Sequence, residues 1–185
     1  DASGARILFE ALGYSPEREY LHMKIEVPEE FVAGGAAPGI VIRPRTEADD
    51  PDIVAVMADA FDDPWDYEDA RQEIAMSAVY DPSLWFVALD GDEAVGALFG
   101  YMTNGRGQIS ALAVRDAWRR RGIAQALLRA AFVRFRERGV HDVRLNVDRG
   151  NVFGATHLYE RAGMHLRRRW LVVAKIMTAA PNGSA

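Results

Sequence analysis

The chain has 185 residues, 49% of them hydrophobic and 26% charged, which is typical of a soluble globular protein with one substantial core. It contains no cysteine, which excludes disulfides, thiolate metal sites and a cysteine nucleophile, and it has no apolar run of the roughly 20 residues that span a bilayer. Because the formal net charge is -5, broad nucleic-acid binding is not expected. Because no apolar run is long enough to span a bilayer, membrane binding is not expected either. We predict a cytoplasmic protein.

The first 30 residues resemble a segment near the other end of the chain. Shifted by 150 positions, residues 4–21 align without a gap with residues 154–171. The identical positions are Gly4, Ala5, Leu8, Glu10, Gly13, Arg18 and Leu21. Two unrelated amphipathic helices ended by glycine would share some of these matches, but the ungapped run favours a tandem duplication. Residues 1–30 are therefore predicted to be the C-terminal remnant of an upstream repeat.

The rest of the chain is predicted to hold one complete domain. Residues 31–39 are small and glycine-rich and indicate a linker, residues 40–178 the domain, and residues 179–185 a flexible tail. Strands are predicted at residues 40–45, 84–89, 94–102, 108–114 and 143–147, with two more within 164–177. Helices are predicted at residues 46–61, where Thr46 is suited to capping, and at 67–79, 122–138 and 153–162. This order predicts an α/β (α+β) fold with helices on the faces of a mixed sheet.

A phosphate-binding junction is predicted where the third strand of the meander is followed by a helix. Gly122 and Ala124 open the helix, and Arg119, Arg120 and Arg121 precede it. The first N–H groups of a helix lack intrahelical partners and carry partial positive charge, so they can hold a phosphate that small residues allow to approach. A glycine-capped helix with a basic surface is the alternative interpretation.

Two motifs resemble the GNAT superfamily of acetyltransferases. Its cofactor signature is arginine or glutamine, two residues, glycine, one residue, then glycine or alanine, as in residues 119–124. A second motif from Leu145 matches at Asn151, Leu158, Tyr159, Glu160, Gly163 and Met164. The resemblance implies a mostly antiparallel sheet of six or seven strands flanked by helices, and acetyl-CoA as cosubstrate. The chain resembles the C-terminal domain of tandem, mycothiol-synthase-like members.

The resemblance also implies roles for individual residues. An amine would attack the thioester carbonyl directly, and Tyr159 would give a proton to the departing thiolate. A phenol of pKa ~10 suits a thiolate whose conjugate acid has a pKa of ~8.5. Leu112 and Val114 would offer backbone groups to the pantetheine arm where two strands splay apart. The implied cofactor-binding residues are Leu112, Ala113, Val114, Arg119, Arg120, Arg121, Gly122, Ile123, Ala124, Gln125, Asn151 and Tyr159.

The general base and the acceptor site are less defined. Many family members carry a carboxylate on the third meander strand, where this chain has Ser110 and Ala111. A water chain passing Ser110, or a carboxylate within residues 62–69, would take the proton, so the predicted catalytic residues are Tyr159 and Ser110. An acidic, aromatic loop would attract a cationic amine, although a solvated acidic turn is an equal alternative. Its predicted acceptor-binding residues are Asp62, Asp63, Trp65 and Tyr67.

Other interpretations of the sequence are a different fold, a metal site and a function without catalysis. A nicotinamide-binding fold requires G-x-G-x-x-G, and the segment from Trp118 to Ala126 lacks its first glycine. The four histidines show no metal-ligand spacing, so no metal is expected. A catalytically inactive acyl-CoA-binding module with a regulatory or assembly role is the second candidate function. The acceptor is predicted to be a small-molecule or peptide amine. The apolar face of residues 4–25 predicts docking, on the complete domain or, in a homodimer, on a neighbouring chain, in place of an upstream domain.

Overall fold

The protein forms a single seven-stranded sheet in the order β2-β3-β4-β5-β6-β1-β7. The computed structural model describes residues 2–35, 38–60, 81–150 and 155–176. Its strands are β1 (Ser15–Glu26), β2 (Ile40–Pro44), β3 (Trp85–Asp90), β4 (Glu93–Thr103), β5 (Arg106–Val114), β6 (Asp142–Asp148) and β7 (His165–Ala174). Its α-helices are α1 (Ala2–Ala11), α2 (Asp50–Ala60), α3 (Ile123–Glu137) and α4 (Ala155–Arg161). Within these ranges no helix is both long enough and apolar enough to cross a membrane.

The sheet is mixed and mostly antiparallel, as predicted. Strands β2 to β5 form an antiparallel meander, and β5 and β6 are the one parallel pair among the described strands. Helix α3 lies between β5 and β6 in sequence, as a parallel crossover requires. The helix therefore begins beside the end of β5.

The prediction of two strands within residues 164–177 was wrong. That segment forms the single strand β7, and the position beside it is filled by β1 from the other end of the chain. The physical reason lies in the residues from His165 to Ile176, which include no glycine, proline, asparagine or aspartate to make a turn. The segment stays extended, and a separate part of the chain supplies the neighbouring strand.

Strand β1 is an interior strand of the sheet rather than an appendage. It pairs antiparallel with both β6 and β7, with Met23 opposite Leu145 on β6. Leu21, Met23 and Ile25 alternate into the core and are buried. The docking prediction is thus confirmed for the strand, whereas α1 leaves its apolar side chains exposed. The division of the chain at residues 30 and 40 stays a prediction, and the sheet crosses it.

Helix α3 packs tightly on one face of the sheet. Leu127, Phe132 and Phe135 on this helix are fully buried. Glycines on the strands permit the close approach, because a Cβ atom added at Gly107 would lie 2.8 Å from Cδ1 of Phe135. A larger residue there would push the last turn of α3 outward from the sheet.

The opposite face is covered in part by α2, whose buried residues are Ile53, Val56 and Met57. Thr46 precedes this helix, and both its backbone N–H and its hydroxyl donate to the Asp49 carboxylate. Arg43 donates two hydrogen bonds of 2.7 Å to the same carboxylate. These bonds, those of Arg43 first, hold the pKa of Asp49 well below its usual range although burial acts the other way.

Candidate functional site

A cleft opens in the sheet where β5 and β6 diverge. Their parallel pairing consists of three pairs and ends at Ile109 and Leu145. Beyond that point β5 continues to Val114 while pairing only with β4. In the part of the chain that the structure describes, this edge of β5 has no neighbouring strand, so its main-chain groups could bond a ligand, apart from the Val114 carbonyl, which accepts from Arg119. Leu112 and Val114, implied to offer backbone groups to the pantetheine arm, lie on this part of the strand, as does Ala113.

The first turn of α3 lies just beyond the end of this cleft. Gly122 caps the helix with a φ of 78°, a left-handed conformation that favours glycine, and nothing lies within 4 Å of the position of an added Cβ atom. Arg120 also has a positive φ, of 67°. The first intrahelical bond runs from the Ala126 N–H to the Gly122 carbonyl, so helix geometry aims the preceding N–H groups outward.

The three arginines before the helix have different positions. Arg119 is turned back onto the strand, donating from Nε to the Val114 carbonyl at 3.2 Å, and it pairs with Asp116 at 2.7 Å. Arg120 and Arg121 are exposed. The first turn of α3 holds no acidic residue, so its partial positive charge is not neutralised from within the helix. The junction is suited to an anion, with Arg119 shaping the turn.

A cavity of about 410 Å³ lies against this helix start. One wall comes from the chain before β2, which Arg129 and Arg136 on α3 hold in place. The Arg129 guanidinium donates to the Val32 carbonyl at 2.7 Å and lies 4.7 Å from the centre of the Phe31 ring, while Arg136 donates to the Phe31 carbonyl. The lining residues are Gly34, Gly35, Arg121, Gly122, Gln125, Ala126 and Arg129.

Tyr159 lies on α4, a short helix that contacts α3. Its side chain is half-buried, and burial raises the pKa of the phenol to about 12. The hydroxyl consequently keeps its proton throughout the physiological pH range. The phenol is therefore a weaker acid than the ~10 that the sequence argument assumed, so proton transfer to a thiolate whose conjugate acid has a pKa of ~8.5 is less favourable than expected.

The face of the sheet opposite α3 carries a second cavity, of about 430 Å³. It is lined by Tyr20 and His22 from β1, Asn146 from β6 and Trp170 from β7. Asn146 directly follows Leu145, the last residue of the parallel pairing, so one lining residue of this cavity lies where the cleft opens. Ser110 directly follows Ile109 on the facing strand and donates to the Phe99 carbonyl at 3.4 Å.

His22 is the titratable group of this second cavity. Among the described residues its Nε2 atom is buried without a hydrogen-bond partner. Burial lowers the pKa of the imidazole, and the positive charges of Arg144, Arg167 and Arg168 lower it further, against a smaller opposing effect of Asp142. The ring is therefore neutral at physiological pH and can accept a proton.

The structure brings together most of the residues implied for acetyl-CoA. Those from Leu112 to Gln125 lie along the cleft and the start of α3, with Ser110 beside them. Tyr159 lies on α4, and the other predicted site residues lie outside the described ranges, namely Asn151, Asp62, Asp63, Trp65 and Tyr67.

The sequence analysis missed some of the residues that line the two cavities. Tyr20 and His22 were assigned to a non-catalytic remnant, because strand pairing across 120 residues leaves no local signal. Gly34 was placed in the predicted linker, and Arg129 fell within the helix predicted at residues 122–138 without a role in the site. Gly34 and Gly35, which precede β2, are a signal that could have indicated a close approach of the backbone to a ligand. In the ranges that the structure covers, no three histidine or carboxylate side chains are grouped so as to hold a metal ion.

The arrangement can hold an extended ligand with an anionic part. Main-chain groups of β5 are available along the cleft, exposed arginines and helix N–H groups lie at one end, and a proton-bearing phenol is carried by the helix that contacts α3. A ligand with a pyrophosphate at the start of α3 and a thioester-bearing arm along β5 would match this order of chemical groups.

Comparison with known proteins agrees with this geometry. Residues 51–164 match the model of the acetyltransferase (GNAT) family. The chain is 31% identical to a mycothiol acetyltransferase of Propionibacterium freudenreichii subsp. shermanii and 31% identical to one of Clavibacter michiganensis subsp. michiganensis, each match covering 88% of this chain and 55% of the relative. The chain thus spans about half the length of these curated relatives.

The fold is also that of a solved structure. The crystal structure of a GCN5-related N-acetyltransferase from Sphaerobacter thermophilus matches with a TM-score of 0.82 and 34% identity, over 92% of this chain and 55% of that one. The sheet with its β5–β6 cleft, the basic junction at α3 and the family match over most of the chain lead to one conclusion: the chain belongs to the GNAT acetyltransferase family.

Proposed function

We propose that this protein transfers an acetyl group from acetyl-CoA to an amine by direct attack of the amine on the thioester. The observation that carries the proposal is the alignment of the β5–β6 cleft with the first turn of α3. A thioester arm in the cleft would end at a pyrophosphate held by the N–H groups of residues 121–125. Acetyl-CoA is a metabolite of the cytoplasm, so we place the protein there.

The chain supplies positioning and charge rather than a covalent nucleophile. Main-chain N–H groups at the cleft would stabilise negative charge that develops on the thioester oxygen. The amine lone pair forms the new C–N bond, the C–S bond breaks, and the thiolate takes a proton from Tyr159 while the amine loses one to a base. Holding the two reactants in one cleft removes much of the entropic barrier.

We place the acceptor on the open face of the sheet, in the cavity lined by Tyr20, His22, Asn146 and Trp170. Its lining residue Asn146 lies where the cleft opens, on the side away from α3. The arginines that lower the pKa of His22 would also favour the neutral form of a bound amine, which is the nucleophilic form. His22 joins a water chain past Ser110, or a carboxylate of residues 62–69, as a candidate base.

Incubation with acetyl-CoA and a panel of amines tests the function. Release of free thiol should require both an amine and the protein with its cleft intact. Mass spectrometry should find one acetyl group added to the amine. The panel should include unacetylated mycothiol, because two relatives are named for mycothiol. Intact-protein mass after acetyl-CoA alone should be unchanged, whereas an acetylated protein would refute direct attack.

A catalytically inactive acyl-CoA-binding module is the second candidate function, because no carboxylate occupies positions 110 and 111 of β5. Such a module would bind acetyl-CoA without releasing thiol in the presence of any amine. Calorimetry beside the thiol assay separates the two functions. Binding without turnover favours the module, and turnover with an amine favours the enzyme.

A further inference from the structure

A segment between β1 and β2 runs antiparallel to α3, from the last turn of the helix back to its start. We call this segment, residues 28–35, the strap. Near its beginning the Glu29 carbonyl accepts a hydrogen bond from Arg136, which lies in the last turn of α3. At its end, Gly34 and Gly35 line the cavity beside the first turn of the helix. The strap and α3 are therefore two walls of that cavity.

The middle of the strap is fixed on the helix by aromatic and cation-π contacts. The Phe31 ring lies edge-on to the Phe132 ring, with ring centres 5.8 Å apart. The Arg129 guanidinium lies 4.7 Å from the centre of the Phe31 ring and donates to the Val32 carbonyl at 2.7 Å. These contacts give the strap a defined place although it is neither helix nor strand.

The two glycines at the end of the strap bring its backbone close to Arg129 and leave the cavity open. A Cβ atom added at Gly34 would lie 3.0 Å from Nε of Arg129, which is closer than ordinary contact. One added at Gly35 would meet nothing within 4 Å. Gly34 thus allows the close approach to the guanidinium, and Gly35 leaves space beside it for a ligand.

The cavity between the strap and α3 carries positive charge that no carboxylate neutralises. Arg121 and Arg129 line it, and none of its lining residues is acidic. In the part of the chain that the structure describes, neither arginine forms an ion pair. Guanidinium groups donate several hydrogen bonds in a fixed geometry that matches phosphate oxygens. The cavity is therefore suited to a phosphate group.

The proposed donor would bring a second phosphate group to this cavity. Its thioester arm is placed along β5 and its pyrophosphate at the N–H groups of residues 121–125. The nucleotide lies on the other side of the pyrophosphate, so it must leave the cleft and pass along α3 toward the strap. The ribose of that nucleotide carries a 3′-phosphate, a monoester whose charge near neutral pH is about -1.5 to -2.

We propose that Arg121 and Arg129 bind the 3′-phosphate of acetyl-CoA, and that this contact selects CoA thioesters over 3′-dephospho-CoA thioesters. The inference rests on the proposed function, because it takes acetyl-CoA as the donor. Arg129 lies about two turns beyond Gly122, so this contact is separate from the N–H groups that would hold the pyrophosphate. The strap holds the Arg129 guanidinium at the cavity, which makes Arg129 the main specificity-determining residue.

Isothermal titration of acetyl-CoA and of 3′-dephospho-acetyl-CoA tests this inference, because the two ligands differ only in the 3′-phosphate. The parent should bind acetyl-CoA about tenfold or more tightly, as a contact to a charged group implies. Arg129→Gln should lower the affinity for acetyl-CoA toward that for the dephospho ligand and leave the latter nearly unchanged. Arg121→Gln should reduce the ratio of the two affinities in the same direction.

A purely structural role of Arg129 gives a different result. If Arg129 only held the strap, Arg129→Gln would weaken both ligands by the same factor, and this outcome would refute the assignment. Arg136→Gln is the matched control, because Arg136 holds the strap through the carbonyls of Glu29 and Phe31 but does not line the cavity. The affinity ratio in this variant should equal that of the parent.

Failure of this inference is distinguishable from failure of the proposed function. Equal affinities of the parent for the two ligands would overturn the 3′-phosphate site and leave the proposed donor site in place. Binding of neither ligand would contradict the proposed function itself, and this inference with it. Circular dichroism and Tm of each variant, compared with the parent, show that a change in affinity does not come from unfolding.

Discussion

Replacing Gly122 with aspartate should weaken acetyl-CoA binding by at least tenfold, which corresponds to about 1.4 kcal/mol. The substitution adds a carboxylate where the pyrophosphate is proposed to lie. Two unit charges ~5 Å apart repel by about 0.8 kcal/mol in water and about 3 kcal/mol at an effective dielectric of ~20, which brackets the expected loss. No neighbouring atom lies within 4 Å of the added Cβ, so a steric clash with the protein does not account for the effect.

Backbone strain is the competing explanation, and the chain offers a matched control. Gly139 follows the other end of α3 with a φ of 73°, close to the 78° of Gly122, and an added Cβ there also meets nothing within 4 Å. Gly139→Asp imposes the same strain and the same charge far from the cleft. Gly122→Asn imposes the strain at the site without the charge.

Isothermal titration of acetyl-CoA into the three variants separates these effects. Gly122→Asp should lose more affinity than Gly122→Asn, and Gly139→Asp should bind as the parent does. The loss should shrink as salt is added, because the charges are exposed and screened. Equal affinity of Gly122→Asp and Gly139→Asp would refute the placement of the pyrophosphate at the start of α3.

Three further predictions concern catalysis and stability. Tyr159→Phe should lower kcat roughly 100-fold with little change in acetyl-CoA affinity. Because burial raises the pKa of the Tyr159 phenol to about 12, the parent's kcat should not fall on its account near pH ~10, where an ordinary phenol titrates. Deleting residues 1–14 should leave circular dichroism and Tm close to those of the parent, whereas deleting residues 1–30 should abolish folding, since it removes an interior strand. Asp49→Asn should cost about 1–3 kcal/mol at pH 7 by chemical denaturation. Because the pKa of Asp49 is depressed by Arg43, that stabilisation is present above the unfolded pKa of ~3.9 and is lost as pH falls below it, so the two proteins should converge in acid.

The fold and the donor site could be predicted from the sequence because their signals are local. Alternating apolar residues mark the meander strands, and Gly122 with the arginines before it marks the start of α3. The pattern of residues 119–124 predicts a phosphate site at this helix start. It could not show that Arg119 turns back onto Val114, because that contact depends on how the loop closes.

The strand order at the far side of the sheet could not be predicted for a different reason. Residues 15–21 align without a gap with residues 165–171, so the sequence does not tell which of these two segments lies beside β6. In the folded protein the N-terminal strand, β1, pairs with β6. The cavity lined by Tyr20 and His22 depends on the pairing of β1 with β6, so the sequence analysis did not predict it.

A crystal structure of the chain with acetyl-CoA tests the central claim most directly. The account predicts the pyrophosphate within hydrogen-bond distance of the N–H groups of residues 121–125, the pantetheine arm along residues 112–114, and the thioester at the mouth of the β5–β6 cleft. An acetyl-CoA molecule bound elsewhere, or one whose thioester points away from that cleft, would contradict it.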